Sequence, residues 1–150
     1  MSAFTEFAAF VPVAEGSVRY RLTEALLWRV AKEDSDWLAI MGPPRPFDLS
    51  VPWWLQWALS PHNRVWLPAA AVHDYMLETG CDAFFAAGEF RRAVQARIDR
   101  ATADRIKQLI ARGWPERLAG AWCWITRDRR VWPASIGVLI WTVLKLPSVT

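Results

Sequence analysis

His73 and Asp74 form the one adjacent His–Asp pair in the chain, inside the apolar stretch Ala69-Ala70-Ala71-Val72-His73-Asp74-Tyr75-Met76. An imidazole beside a carboxylate can act as a general base, as part of a metal site, or as a buried structural clamp. Upstream lies a second segment, Ser50-Val51-Pro52. Other chemistry is poorly represented. Cys81 and Cys123 are the only cysteines, and no C-x-x-C or Cys/His cluster suggests zinc. Gly-rich phosphate loops, a G-x-S-x-G elbow and an H-E-x-x-H pair are all absent.

The elements that must position these residues fall into three parts, within what the length of 150 residues suggests is a single domain. The first part, 1–41, is expected to be β-rich. Val18-Arg19-Tyr20-Arg21-Leu22 alternates apolar and basic residues, as a half-buried strand does. Leu26–Val30 and Trp37–Met41 are two further runs of strand length, and the polar turn Glu33-Asp34-Ser35-Asp36 between them predicts a hairpin. A short helix from Glu24 is the alternative. The second part, 42–52, is a Pro-rich loop. Gly42-Pro43-Pro44-Arg45-Pro46 is expected to continue neither strand nor helix.

The third part, 53–146, is expected to be helical. Pro52 suits a first helical turn, so Trp53–Leu59 is predicted as a short apolar helix capped by Ser50 or Asp48. A helix from Arg64 to Thr79 stops at Gly80 and puts Trp66, Ala69, Ala70, His73 and Leu77 on one inward face. Asp82–Arg112 carries the stripe Phe90, Val94, Ile98, Ala101, Ile106 and Leu109-Ile110, with a break expected near Asp99–Thr102. Gly113-Trp114-Pro115 ends it, and Pro115 opens a helix over Glu116–Ile125. The predicted class is therefore α+β, with short antiparallel strands over about 17–41 and helices over about 52–146.

Composition narrows the function classes. Apolar residues make up 53% and charged residues 22%, which excludes a disordered chain. The 11 Trp exceed ordinary usage and suggest rings with one dry and one wet end, at a partner or a groove, or simply a Trp-rich core. Charge is uneven. Residues 1–90 hold 6 Lys/Arg and 11 Asp/Glu, a balance of −5, whereas residues 91–130 hold 11 and 4, a balance of +7. The basic stretch can meet phosphate, anionic lipid or an acidic protein surface. No nucleic-acid motif accompanies it, so nucleic acid is not the expected partner. Arg127, Arg129, Arg130, Trp132 and Trp141 mark a candidate partner surface. The apolar tail Trp132–Leu146 is shorter than the roughly 20 residues of a membrane-spanning helix and suits a buried or partner-facing helix, with membrane association as the alternative. The N-terminus lacks a basic segment before an apolar run, so no secretory signal is expected and the two thiols are expected reduced.

Ser50-Val51-Pro52 followed by Ala70-Ala71-Val72-His73-Asp74-Tyr75-Met76-Leu77 resembles a family of small uncharacterised proteins of tailed phages, prophages and gene-transfer particles. Its members carry T-D-x-A-S-V-P, then A-A-x-x-H-D-x-L-Y, then R-x-x-A-D-x-x-F-x-x-A-M. Phe4-Thr5, Tyr20-Arg21-Leu22 and Leu26-Leu27-Trp28 resemble the family's start and first strands, and the likeness covers roughly residues 4–115. Two departures matter. The segment from Asp48 to Ser50 has one residue fewer than the family pattern. The third motif fits in two registers. Phe90, Ala93 and Val94 fit its end but place Ala87 at the acid position, with Glu89 two residues later. Arg100-Ala101-Thr102-Ala103-Asp104 fits its start but places Lys107 at the Phe position.

The resemblance implies a virion-associated structural or assembly protein, made in the host cytoplasm and incorporated into a particle through contacts with other particle proteins. The family's acids and His–Asp pair are also similar in outline to secreted phospholipases A2. That likeness implies His73 as a base and Asp74 as a ligand for a divalent cation such as calcium, with Asp48 or Asp104 assisting, in a small hydrolase of lipid or cell wall. The chain lacks that enzyme's calcium loop and cysteines. The alternative role for the pair is a clamp in which His73 and Asp74 hold Ser50 and Pro52 against the helix. A membrane-associated lysis or entry factor using Trp132–Leu146 is the remaining expectation.

Overall fold

A computed structural model describes residues 10–32, 34–43, 46–48, 66–126, 136–140 and 143–144. Among the described residues, five short strands precede three longer helices: β1 Phe10–Pro12, β2 Arg19–Leu22, β3 Leu26–Arg29, β4 Leu38–Met41, β5 Pro46–Asp48, α1 Leu67–Glu78, α2 Ala83–Ala111 and α3 Glu116–Ile125. The fold is α+β, antiparallel strands first and helices after.

The strands form two small sheets. One has the order β1-β2-β5 and the other is the β3-β4 hairpin, both antiparallel. The alternation in β2 works as its sequence demands: Tyr20 and Leu22 are buried while Arg19 and Arg21 are exposed. In the hairpin, Trp28 faces Ala39 and Leu26 faces Met41, and all four are buried. A large ring opposite a small residue fills the inner face without overpacking.

Two strands lie outside the expected limits. β1 precedes the predicted strand region, and β5 lies inside the predicted Pro-rich loop. Both contain a proline, and both are edge strands of the three-stranded sheet. A missing N–H costs no ladder bond on a free edge or at a strand's first residue. Phe47 is buried opposite Tyr20, and Phe10 sets its ring edge-on to Tyr20 at 5.7 Å.

α1 is buried along its whole first half, Leu67 to His73. A helix apolar on every side belongs in a core, where each buried Leu, Val or Met contributes about 1.5–3 kcal/mol. Its alanines bring it close to α2, whose Ala86, Phe90, Ala93, Val94 and Ile98 are buried. Both helices end alike. Gly80 at φ +86° and Gly113 at φ +88° supply the left-handed residue, and the N–H groups of Cys81 and Trp114 reach back to Met76 O and Leu109 O. Asp82 starts α2 by accepting from the N–H groups of Phe84 and Phe85, each at 2.9 Å.

The expected break near Asp99–Thr102 does not occur, and α2 is one helix of 29 residues. Thr102 keeps its place by donating its hydroxyl to Ile98 O at 2.7 Å, and Gln95 bridges to Asp99 at 2.9 Å. Beyond Ile98 the helix leaves the core, and only Ala119 and Cys123 of α3 are buried beside it. Residues 136–140 are helical, with Val138 packed against the core. Trp53–Leu59 lies outside the described residues.

Candidate functional site

His73 sits in the buried half of α1, six residues past its start, with 7% of its surface exposed. Its ring stands edge-on to Phe90 of α2 at 6.1 Å. Nδ1 lies 3.2 Å from Asp74 Oδ1, and the other carboxylate oxygen of Asp74 accepts from the backbone N–H of Asp48 at 3.2 Å. Asp74 is one step further round the helix and partly exposed, which lets it face both the imidazole and β5. Beside it, a crevice lined by Leu22, Phe47, Ala71 and Tyr75 has about 10 Å³ of room. That space admits one water at most.

The structure brings His73, Asp74 and Asp48 together through a backbone contact of Asp48. It does not bring Asp104 to them. Asp104 is an exposed residue of α2, fourteen positions beyond Phe90, or about 21 Å along the axis at the α-helical rise. The expected cation set of Asp48, Asp74 and Asp104 is therefore not assembled. Among the described residues no three His, Cys, Asp or Glu side chains converge on a common point. Ser50 and Pro52 of the expected clamp, and Arg127, Arg129, Arg130, Trp132 and Trp141 of the expected partner surface, lie outside the described residues.

A second polar cluster is stronger than the first. Glu89 of α2 is 3% exposed. Its Oε2 accepts from Trp28 Nε1–H at 2.6 Å and from Arg92 Nη1 at 2.7 Å. Its Oε1 accepts from Arg92 at 2.9 Å and from the N–H of Ala31 at 3.3 Å. Arg92 also lies over the Trp28 ring, 5.0 Å from its centroid, and reaches Arg29 O at 3.4 Å. A buried carboxylate is tolerable only when paired and hydrogen-bonded, and here both oxygens are served twice. Ala31 holds a left-handed φ of +67°, a conformation that an alanine adopts only when its surroundings fix it. Over this cluster opens a cleft of about 480 Å³, edged by Lys32, Arg91, Gln95 and Asp99.

Glu89 is the acid two residues from the expected place in the first register of the third motif. The sequence offered one clue to it: an acid between Ala87 and Phe90, on the apolar face of a helix, needs a partner when buried. Phe90 meets the His73 ring edge-on, whereas Asp104 is exposed.

No match emerges when the chain is compared with protein-family models, curated proteins and solved structures.

A further surface feature is apolar. On α3, Leu118, Trp122, Trp124 and Ile125 are 59, 45, 64 and 62% exposed. Trp114 in the turn before α3 sets its ring 6.5 Å from that of Trp122, so Trp114, Leu118, Trp122 and Ile125 form one continuous strip. Among the described residues no helix is long and apolar enough to cross a membrane. The cations of α2, Arg91, Arg92, Arg97, Arg100, Arg105 and Lys107, are spread around the helix. Within it, burial and then the neighbouring Arg100 guanidinium hold Arg97 below the usual arginine range.

Proposed function

We propose that this chain is a structural or assembly protein that works by protein–protein contact, in the particle of a tailed phage or gene-transfer element. The observation that carries the contact reading is the strip Trp114, Leu118, Trp122 and Ile125, left exposed although the same chain buries Trp28 and Trp66 completely. A contiguous exposed apolar strip containing tryptophans is the composition of an interface hot spot. The particle reading rests on the Ser50-Val51-Pro52 and Ala70–Leu77 resemblance.

In this reading His73 and Asp74 are architectural. The Asp48 N–H donated to Asp74 supports a clamp that fixes β5 against α1. A cation-dependent hydrolase needs a third ligand, and among the described residues none joins His73 and Asp74, while the crevice beside Asp74 has about 10 Å³ of room. The test is mass spectrometry of purified particles from cells that make this protein. The expected result is the chain at fixed stoichiometry in particles. Its presence in producing cells but absence from purified particles overturns the particle reading.

A further inference from the structure

Arg92 holds the fold with one nitrogen. Its hydrogen bonds to Glu89 Oε1, Glu89 Oε2 and Arg29 O all leave from Nη1. Among the described residues Nε and Nη2 have no partner, and neither is sealed from solvent. These two N–H groups share one edge of the guanidinium, an edge that can hold both oxygens of a carboxylate. The group is fixed from behind. The buried Glu89 carboxylate takes Nη1 at 2.7 Å, and the guanidinium carbon lies 5.0 Å from the Trp28 ring centroid. A mobile surface arginine loses rotamer freedom when it takes an anion, whereas Arg92 has already lost it on folding.

Arg92 lines the cleft of about 480 Å³, a volume within the range of small-molecule sites. Gly88 lines it too, four residues earlier and so on the same face of α2. Glycine is unfavourable inside a helix, yet a Cβ at Gly88 would meet nothing within 4 Å, so packing does not require it. What the missing side chain leaves is room beside the guanidinium. Ala31, at its left-handed φ of +67°, and Ala96 keep the rest of the lining low.

Charge and volume limit the ligand. Lys32, Arg91, Arg92 and Asp99 line the cleft, Glu89 lies behind Arg92, and Asp34 pairs with Lys32. Among the described residues, three cations thus meet three acids. That leaves no surplus for a dianion such as a phosphate monoester, whereas one guanidinium edge suits one negative charge shared by two oxygens. The cleft is much larger than a carboxylate group, so it has room for the body of the molecule as well. From this geometry we infer that the cleft binds a small organic carboxylate, its oxygens on Nε and Nη2 of Arg92 and its body against Gly88 and Ala96. The inference goes beyond the contact reading and does not rest on it.

The experiment is an NMR titration of the full nitrogen-15-labelled chain with sodium acetate and with sodium benzoate, sodium chloride holding the ionic strength constant. The Arg92 Nε–H resonance is expected to move downfield and saturate with both. Benzoate is expected to bind about tenfold more tightly, because its ring is buried in the cleft. Two variants locate the site, with the Lys32 backbone amide as the reporter. Arg92→Lys keeps a cation beside Glu89 but removes the two-donor edge, and Gly88→Leu fills the space beside it. Each is expected to weaken benzoate binding about tenfold or more while circular dichroism shows it folded. If Arg92→Lys fails to fold, Gly88→Leu carries the test. The absence of a saturable shift with benzoate overturns the inference, as does a shift that chloride reproduces. Tighter binding of inorganic phosphate than of benzoate overturns the carboxylate assignment. Benzoate no tighter than acetate overturns the small-molecule ligand and leaves the edge to an acidic side chain of another protein. Undiminished benzoate binding by Gly88→Leu overturns the placement in this cleft.

Discussion

Asp74 and Glu89 do the same job at two places, with different strength. Each sits on a helix and takes a backbone N–H from the β layer: Asp74 from Asp48 of β5, Glu89 from Ala31 just after β3. Each therefore ties one of the two small sheets to the helical layer. Asp74 is partly exposed and has the neighbouring His73 as its other described partner. Glu89 is buried, charge-paired to Arg92 and bonded to an indole from the other sheet. A carboxylate's contribution follows from its burial and its number of donors, not from how suggestive its sequence neighbour is.

The largest test of this contrast is Glu89→Ala. It leaves the Arg92 guanidinium, the Trp28 N–H and the Ala31 N–H without their acceptor, and the expected cost is about 3–5 kcal/mol by urea denaturation. A loss below about 1 kcal/mol would erase the distinction between the two acids. Trp28→Phe keeps most of the buried ring area but removes one donor and weakens the contact with Arg92. Its expected cost is smaller, about 1–3 kcal/mol. Asp74→Ala is expected to cost about 1–2 kcal/mol, since it removes two 3.2 Å contacts of a partly exposed carboxylate, one with the Asp48 amide and one with His73 Nδ1. Hydrogen exchange gives a local reading: the Asp48 amide should exchange faster in Asp74→Ala, while the Ala31 amide should not. Equal effects at both amides would mean that the two sheets are not separately tied.

This contrast also shows what the sequence could and could not reveal. Patterns that a short window contains were legible. The β2 alternation, the β3–β4 hairpin and the glycine stops at Gly80 and Gly113 all follow from local periodicity and φ preference, whereas α1, expected to turn one face inward, is buried on every side of its first half. The edge strands β1 and β5 were not, because their prolines argue against a strand until the sheet order shows that they sit at its edges. The break expected near Asp99–Thr102 rested on local propensity, which packing overrides: α2 is continuous there and the Thr102 hydroxyl turns back to Ile98 O. At the candidate site, His73 and Asp74 announce themselves by adjacency. The Glu89 cluster joins residues 58 and 61 positions apart, so nothing local to Glu89 names Trp28 or Ala31. Asp104 was attractive by motif alone, and the uninterrupted helix carries it away from His73.

The smallest expected effect sharpens the burial argument most directly. Lys32 and Asp34 form an ion pair at 3.5 Å with side chains 69 and 82% exposed, whereas Arg92 and Glu89 form one at 2.7 Å with side chains 30 and 4% exposed. The charges are of the same kind, and both pairs border the same cleft region through Lys32 and Arg92. Asp34→Asn is expected to change stability by less than about 0.5 kcal/mol, because solvent and side-chain entropy offset an exposed pair. Raising salt to about 1 M, where the screening length is about 3 Å, should abolish even that difference. The same salt should leave most of the Glu89→Ala penalty in place, since ions do not reach a buried carboxylate. If salt instead reduces the two penalties in proportion, the Glu89 cluster is wet. Its strength would then come from the Trp28 and Ala31 hydrogen bonds and not from its charge.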